Sequence, residues 1–84
     1  MIAPNKVILF GSRARGDAKR YSDFDVAFEF PKENESKWGA FCVEAQEELP
    51  TLLSFDLINL REASRELLSS ITKEGIILYE HKTH

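Results

Sequence analysis

The sequence of 84 residues has little that would cross-link the chain or carry it into a membrane. A single cysteine, Cys42, excludes a disulfide within the chain and favours a reducing, cytoplasmic location. No apolar run exceeds four residues, so no membrane span is predicted, and the start MIAPNK lacks the apolar core of a signal peptide. The length predicts a single domain over 1–84, with a core at about 7–79 and a flexible tail at 80–84.

The sequence also lacks the excess of positive charge that is typical of a nucleic-acid-binding protein. Its net charge is −3, so direct nucleic-acid binding is not expected. The positive charges are unevenly placed, however, because four of them fall in the stretch GSRARGDAKR, at Arg13, Arg15, Lys19 and Arg20. An apolar content of 43% and a charged content of 30% are ordinary for a globular domain.

The hydrophobic pattern predicts four strands with helices between them. The strands are expected at Val7–Phe10, Phe24–Phe30, Ser54–Asn59 and Ile76–Tyr79. A helix of at most two turns is expected within Arg13–Arg20. A second helix should follow Asn34 or Ser36 as its cap, end before Pro50, and turn five residues inward: Trp38, Phe41, Cys42, Ala45 and Leu49. A third helix is expected within REASRELLSSITKEG, and Gly75 should follow its end. Its inward residues are expected to be Ala63, Leu67, Leu68 and Ile71.

The second strand alternates between apolar and polar residues, which bears on the layers of the fold. Phe24, Val26, Phe28 and Phe30 fall on one face, and Asp25, Ala27 and Glu29 on the other. A strand covered on both faces would be apolar throughout. We therefore predict an α/β (α+β) fold with a small sheet of about four strands, helices on one face, and an open or functional second face.

The loop after the first strand has the glycine spacing of a phosphate-binding P-loop. Gly11 and Gly16 fit G-x-x-x-x-G, but Asp17 and Ala18 stand where that motif needs Lys and Ser or Thr. A glycine at a strand end still lets backbone N–H groups approach a phosphate, and Ser12 adds a hydroxyl donor. Arg13 and Arg15 are either phosphate ligands or ordinary surface charges.

Three acids form the candidate centre. Asp23 and Asp25 are two apart on the predicted second strand, so they share a face with Cα atoms roughly 6–7 Å apart. Asp56 lies between Phe55 and Leu57, and it completes a triad if its strand is the neighbour of the second one. Ionised carboxylates so close repel each other, and a divalent cation such as Mg²⁺ or Mn²⁺ reverses that penalty. Three carboxylates can hold two metals, the arrangement that clamps both oxygens of a phosphoryl displacement.

These motifs together resemble a known family. The segment GSRARGDAKRYSDFDVAF, with Gly11-Ser12 ahead of Asp23-x-Asp25 and with the later Asp56, resembles the nucleotidyltransferase superfamily of the DNA polymerase beta type. The fuller pattern G-S-x-A-R-G, then S-D-x-D, looks like its minimal nucleotidyltransferases, the MNT group. The resemblance runs from Val7 to about Tyr79 and includes FDLINL and ITKEGIILYE.

The resemblance implies a nucleotidyltransferase fold with a small mixed sheet. It implies that Gly11 and Ser12 hold the triphosphate of ATP, that Asp23 and Asp25 bind two Mg²⁺ ions, and that Asp56 binds one ion and helps activate the attacking hydroxyl. The reaction would transfer a nucleoside monophosphate and release pyrophosphate. Similar proteins are often antitoxins paired with a HEPN-domain toxin, and some add AMP to a tyrosine of that toxin.

The sequence departs from the group in one respect and allows more than one function. Members usually carry a helix before the first strand, whereas Val7 here follows only six residues. The motifs and the resemblance together predict a metal-dependent adenylyltransferase that acts on a partner. The alternative is an antitoxin that works by contact alone. A third alternative is a subunit that modifies a small molecule after oligomerising, and the sequence does not determine the oligomeric state. Other residues are predicted to be structural or solvated: Asp17, Glu29, Trp38, Cys42, His81 and His84.

Overall fold

The computed structural model describes residues 3–18, 23–48 and 54–81. The predicted order of strands and helices is confirmed, with bounds that differ by a few residues. The strands are β1 (Lys6–Phe10), β2 (Phe24–Glu29), β3 (Phe55–Asn59) and β4 (Ile76–Glu80). The helices are α1 (Ser12–Arg15), α2 (Trp38–Glu48) and α3 (Arg65–Glu74), with 3₁₀ segments at Lys32–Lys37 and Leu60–Glu62. The expectations for Lys19, Arg20, Leu49, Pro50 and His84 lie outside the described residues.

The four strands form one mixed sheet in the order β3-β2-β1-β4. β1 is antiparallel to both β2 and β4, and β2 is parallel to β3. The parallel pair needs a crossover, which the 3₁₀ segment and α2 supply, because parallel neighbours cannot be joined by a tight turn. The register sets Phe10 opposite Asp25 and Asp25 opposite Asp56.

Helix α2 covers one face of the sheet through an aromatic cluster. Phe28 of β2 meets the rings of Trp38 and Phe41, with centroids 6.1 and 5.0 Å away. Phe30, just past the strand, is 1% exposed and lies 4.8 Å from the ring of Phe41. The predicted inward positions at Trp38 and Phe41 are thus confirmed, and aromatic edge-to-face contacts add to the stabilisation from buried area.

Helix α3 lies on the opposite face. Ala27, fully buried, packs with Phe10 and with Ile71 of α3, and Ile8 and Ile58 surround them. Since Ala27 and Phe28 are consecutive in β2, they point to opposite faces. The mixed four-stranded sheet is confirmed, but the helices are not confined to one face as expected. The alternation assigned Ala27 to the polar face, so it did not predict the second apolar layer, which packs against α3.

The start of α3 shows why its predicted inward residues need correction. Ser64 caps the helix, since its Oγ accepts a hydrogen bond from the Leu67 N–H at 3.1 Å. Ala63 therefore precedes the helix, in extended conformation. Ile71 is buried and Leu67 half-buried, whereas Leu68 is 39% exposed, so its predicted inward position is wrong.

Other boundary expectations are changed in detail. Neither Asn34 nor Ser36 caps α2, because the 3₁₀ segment that precedes it begins at Lys32 and runs directly into it. Gly75 follows α3 as expected, with a φ of −69° rather than a left-handed value. Glu80 belongs to β4, and the His81 N–H donates to the Asn5 carbonyl at 2.7 Å, so the ordered sheet reaches into the predicted tail. Among the described residues, no helix is long and apolar enough to cross a bilayer.

Candidate active site

The first component of the site is the turn that follows β1. Gly11 has a φ of 75° and a ψ of −158°, a region that is essentially restricted to glycine. Its carbonyl accepts from the N–H groups of Ala14 and Arg15 at 3.1 and 3.0 Å, which starts the single turn α1 at Ser12. Gly16, with a φ of 82°, ends that turn through a bond to the Ser12 carbonyl at 3.0 Å. The glycines at 11 and 16 thus begin and end a compact loop at the strand end.

The second component is the group of carboxylates beside that turn. Asp25 and Asp56 occupy paired positions on the parallel strands β2 and β3, so both side chains lie on one face of the sheet. This confirms that the strands carrying them are neighbours. Asp23 lies one residue before β2 rather than within it. Asp25 is half-buried, whereas Asp23 and Asp56 are exposed.

Gly11 and Asp25 are packed directly against each other. A Cβ built on Gly11 would overlap Oδ2 of Asp25, and it would lie 3.1 Å from Cγ. No side chain larger than hydrogen can therefore stand at position 11 while the carboxylate keeps its place. Glycine at position 11 therefore has two effects: it permits the positive φ, and it leaves space for Asp25 at the base of the loop.

The electrostatics of Asp25 reflect its position in this cluster. Burial raises the pKa of its carboxyl above the ordinary value, and the negative charges of Asp56 and Asp23 raise it further. The cation of Arg15 acts in the opposite direction and favours the ionised form. A half-buried carboxylate repelled by two neighbours is the kind of group that a bound cation stabilises.

The donor set fits a hard divalent cation in its chemistry. Carboxylate oxygens are the ligands that Mg²⁺ prefers, and Mg²⁺ commonly takes one or two carboxylates and completes its shell with waters and substrate phosphates. Among the described residues, no three Asp, Glu, His or Cys side chains converge closely enough to hold an ion by themselves. Asp25 and Asp56 are adjacent by register, and a nucleotide would supply the further oxygens.

The two arginines of the loop have different surroundings. The guanidinium carbon of Arg13 lies 4.5 Å from the ring centre of Phe24, a cation–π contact, and that ring stacks on Phe55 at 5.2 Å. Arg15 donates to Asp17 at 3.1 Å and to Glu74 of α3 at 2.8 Å. The hydrogen bonds to Glu74 and Asp17 raise the pKa of Arg15. Arg15 also acts electrostatically on Asp25, where its positive charge favours the ionised carboxylate.

Glu74 is the residue of this region that the sequence did not single out. It lies 59 positions from Arg15 in the chain, so no local motif could reveal the contact. Its ion pair joins the end of α3 to the short loop after β1. The expectation that Asp17 is a surface acid is confirmed, since it is exposed and pairs with Arg15.

The other described residues that were predicted to be structural or solvated lie apart from the paired aspartates. Cys42 is half-buried on α2, and burial raises the pKa of its thiol, in line with a packing role. Glu29 is half-buried at the other end of β2, opposite Lys6, away from Asp25. His81 is exposed after β4. Trp38 lies in the aromatic cluster as expected.

The mixed sheet, the glycine turn and the paired aspartates define a nucleotidyltransferase fold. The sequence profile described as "Polymerase beta, Nucleotidyltransferase" matches residues 2–84. The chain therefore belongs to the polymerase beta nucleotidyltransferase family, which confirms the resemblance carried by its motifs. No curated protein gives a significant match.

Solved structures agree with this assignment. A chain in the structure of a mutant of the toxin-antitoxin pair MntA-HpeT is 26% identical to this chain, with a TM-score of 0.67. The match covers 94% of this chain and 62% of the other. A toxin-antitoxin structure with AMP-PNP is 23% identical with a TM-score of 0.65, and the match covers 98% of this chain and 65% of the other. A structure described as a nucleotidyltransferase from Sulfolobus solfataricus is 22% identical with a TM-score of 0.56, and the match covers 92% of this chain and 64% of the other. The chain thus spans less than two thirds of each of these relatives.

Proposed function

We propose that this chain is a metal-dependent nucleotidyltransferase that moves AMP from ATP to a hydroxyl group on a partner toxin. The observation that carries the proposal is the register of Asp25 and Asp56, which sets two carboxylates side by side at the glycine turn. A protein that acted only as a scaffold would gain nothing from that repulsion. One similar structure is described as containing AMP-PNP, an ATP analogue, which supports ATP as the substrate.

Each residue of the site has a role in the proposed reaction. The backbone after Gly11 and the hydroxyl of Ser12 would hold the triphosphate, with Arg13 and Arg15 available to its oxygens. Asp23, Asp25 and Asp56 would hold Mg²⁺ or Mn²⁺, which supplies positive charge to the transferring phosphate. Arg15 is held by hydrogen bonds to Glu74 and Asp17, and its positive charge favours the ionised form of Asp25.

The chemical step is an in-line substitution at the α-phosphorus of ATP. The acceptor oxygen forms a bond to that phosphorus while the bond to the bridging oxygen of pyrophosphate breaks. Asp56, exposed at the edge strand, takes the proton of the acceptor hydroxyl. The products are the adenylylated acceptor and pyrophosphate, so charge and atoms balance without a further reactant.

The proposed acceptor is a hydroxyl on a HEPN-type toxin. Two of the similar structures are described as toxin-antitoxin complexes, which supports a toxin as the partner. Asp56 is open to solvent, so a hydroxyl group on another protein can reach it. A partner protein would therefore bring its own hydroxyl to the carboxylates.

A second candidate function is an antitoxin that neutralises its partner by contact alone. The observation that favours it is the lack of three converging metal ligands among the described residues. In that case the carboxylates would be dispensable for neutralisation, and only the binding surface would matter.

The HEPN-type toxin proposed as the acceptor provides the test. That protein is incubated with this chain, ATP and Mg²⁺, and its intact mass is then measured. We expect the added mass of AMP with the native chain and none with Asp25→Asn or Asp56→Asn. Glu47→Gln, which changes an exposed acid on α2, is the matched control and should leave the transfer unchanged.

Three outcomes would contradict parts of the proposal. If the partner binds this chain but never gains AMP, the enzyme proposal is wrong and neutralisation by contact is supported. If the aspartate variants lose their circular dichroism signal, the acids are structural. If the folded Asp25→Asn chain still transfers AMP, the assignment of Asp25 is wrong.

A further inference from the structure

The guanidinium of Arg15, in the loop after β1, lies between two carboxylates from different parts of the chain. Its Nε–H donates to Oδ2 of Asp17 at 3.1 Å, and its Nη1–H donates to Oε2 of Glu74 at 2.8 Å. Two negative charges and one positive charge therefore stand beside a loop that is proposed to hold a triphosphate. Because like charges repel, both carboxylates oppose nucleotide binding unless their effect on the arginine outweighs that repulsion.

The two carboxylates hold the guanidinium in different ways. Asp17 is two residues from Arg15 in the same loop, and its side chain is 61% exposed, so it fixes the guanidinium only relative to that loop. Glu74 is the last residue of α3, and its side chain is 34% exposed. A contact with a separate element is what fixes a side chain relative to the sheet and its aspartates, and Glu74 supplies that contact.

The end of α3 is itself packed against the sheet. Ile71 is three residues before Glu74, on the same side of the helix, and it is 3% exposed and packs with Phe10. The Gly75 N–H donates to the Ile71 carbonyl at 2.8 Å. A Cβ built on Gly75 would overlap that carbonyl and a methyl group of Ile8 on β1. The carboxylate of Glu74 therefore extends from a tightly packed part of the backbone.

The contacts with Asp17 and Glu74 leave part of the guanidinium for a ligand. An arginine side chain has five N–H donors on three nitrogens. Within residues 3–18, 23–48 and 54–81, Nη2 of Arg15 makes no hydrogen bond, whereas Nε and Nη1 are both engaged. The same cation favours the ionised form of Asp25, so its charge acts at the base of the loop. Arg15 is thus held on one side and open on the other.

We propose that Glu74 is a positioning residue that fixes Arg15 for the triphosphate of the nucleotide. Glu74 acts through Arg15 and not on the nucleotide itself. A long side chain that is already held loses less rotamer freedom when it donates a charge-assisted hydrogen bond to a phosphate oxygen. The held arginine therefore contributes more to nucleotide binding than a free one would. The inference rests on the proposed function, because it assigns Glu74 a part in the same nucleotide site.

Calorimetric titration with AMP-PNP and Mg²⁺ tests the proposal in five chains: native, Glu74→Ala, Glu74→Gln, Arg15→Ala and the double alanine variant. Glu74→Ala removes a negative charge near the triphosphate, so repulsion alone would make binding tighter. Positioning instead predicts binding that is about three- to fivefold weaker, the range that coupling within an exposed ion pair allows. Glu74→Gln keeps an oxygen that can accept from Nη1 and should bind more tightly than Glu74→Ala. In the Arg15→Ala background, Glu74→Ala should cause no further loss.

A second measurement follows Arg15 without any nucleotide. The Nε–H group of Arg15 gives its own signal in ¹⁵N NMR, and its heteronuclear NOE should fall in Glu74→Ala because one of its two restraints is lost. Glu66→Ala is the matched control for both measurements, since Glu66 is an exposed acid in the first turn of the same helix. It should leave nucleotide affinity and the NOE unchanged. Circular dichroism checks that each variant is folded.

Failure of this inference differs from failure of the proposed function. If the native chain binds AMP-PNP and Glu74→Ala binds it equally well or more tightly, the proposed function stands and the positioning role is wrong. The positioning role is also wrong if Glu74→Ala weakens binding just as much in the Arg15→Ala background, or if the NOE of Arg15 does not change. If the native chain binds no AMP-PNP, the proposed function is wrong and the inference fails with it.

Discussion

Gly11→Ala is the substitution whose effect follows most directly from the geometry. Gly11 has a backbone conformation that is nearly closed to alanine, and a Cβ there would overlap the Asp25 carboxylate. Two separate penalties are therefore expected, one from the backbone and one from the contact. Gly16→Ala is the matched control, because Gly16 also has a positive φ but no atom lies within 4 Å of the added methyl.

The two penalties can be given rough sizes. A non-glycine residue in the region of Gly11 costs about 1–3 kcal/mol in backbone strain. Forcing a methyl group against the carboxylate adds about 1–3 kcal/mol, as over-packing does elsewhere. Gly16→Ala should cost only about 1–2 kcal/mol, the penalty of the left-handed region. In a domain of this size each kcal/mol lowers the melting temperature by roughly 4–8 °C.

Urea denaturation of four chains separates the two terms: native, Gly11→Ala, Asp25→Ala and the double variant. Removing the carboxylate should relieve the overlap and leave the strain, so Gly11→Ala should cost about 1–3 kcal/mol less in the Asp25→Ala background. If the two substitutions are additive, the packing of Asp25 on Gly11 is refuted. If Gly11→Ala costs no more than Gly16→Ala, the combined argument fails.

Three further predictions follow from the charges and the core. Because the pKa of Asp25 is raised in the folded state, its ionisation destabilises the fold above that raised pKa, and the penalty vanishes below the unfolded-state pKa. Asp25→Asn should therefore raise the free energy of unfolding at neutral pH, and this gain should disappear in acid. Urea denaturation at a series of pH values measures it, and a gain that grew as the pH fell would contradict the raised pKa of Asp25. Phe41→Ala should cost about 3–5 kcal/mol in urea denaturation, because a buried ring leaves the aromatic cluster, and a loss under 1 kcal/mol would mean that α2 is not packed there. Glu74→Gln should change stability by less than about 1 kcal/mol, because its pair with Arg15 is exposed, and a larger loss would show that the pair holds the loop in place.

The sequence was sufficient for the elements that local patterns encode. The alternation of Phe24 to Phe30 predicted β2, and the period of Trp38 and Phe41 predicted the inward face of α2. The sequence grouped Asp25 with Asp56 only on the condition that their strands are neighbours, and the register of β2 and β3 meets that condition. A short helix was expected within Arg13–Arg20, and α1 spans Ser12–Arg15, so it begins one residue before the expected start.

What the sequence could not reveal depends on contacts between distant segments. The burial of Ala27 under Ile71 comes from the return of α3 to the sheet, and alternation assigned that alanine to an open face. The contact between Arg15 and Glu74 joins residues 59 positions apart. The exposure of Leu68 depends on where Ser64 starts α3, which shifts the face that the helix turns to the sheet.

Calorimetric titration with AMP-PNP tests the central claim most directly, that the carboxylates and the glycine turn bind a metal-nucleotide complex. The native chain is predicted to bind AMP-PNP in the presence of Mg²⁺ and to lose that binding when EDTA removes the ion. Folded Asp25→Asn and Asp56→Asn chains should bind at least tenfold more weakly, while Glu47→Gln binds as the native chain does. Binding that is equally strong without Mg²⁺ and in both aspartate variants, or no binding by the native chain, would contradict the claim.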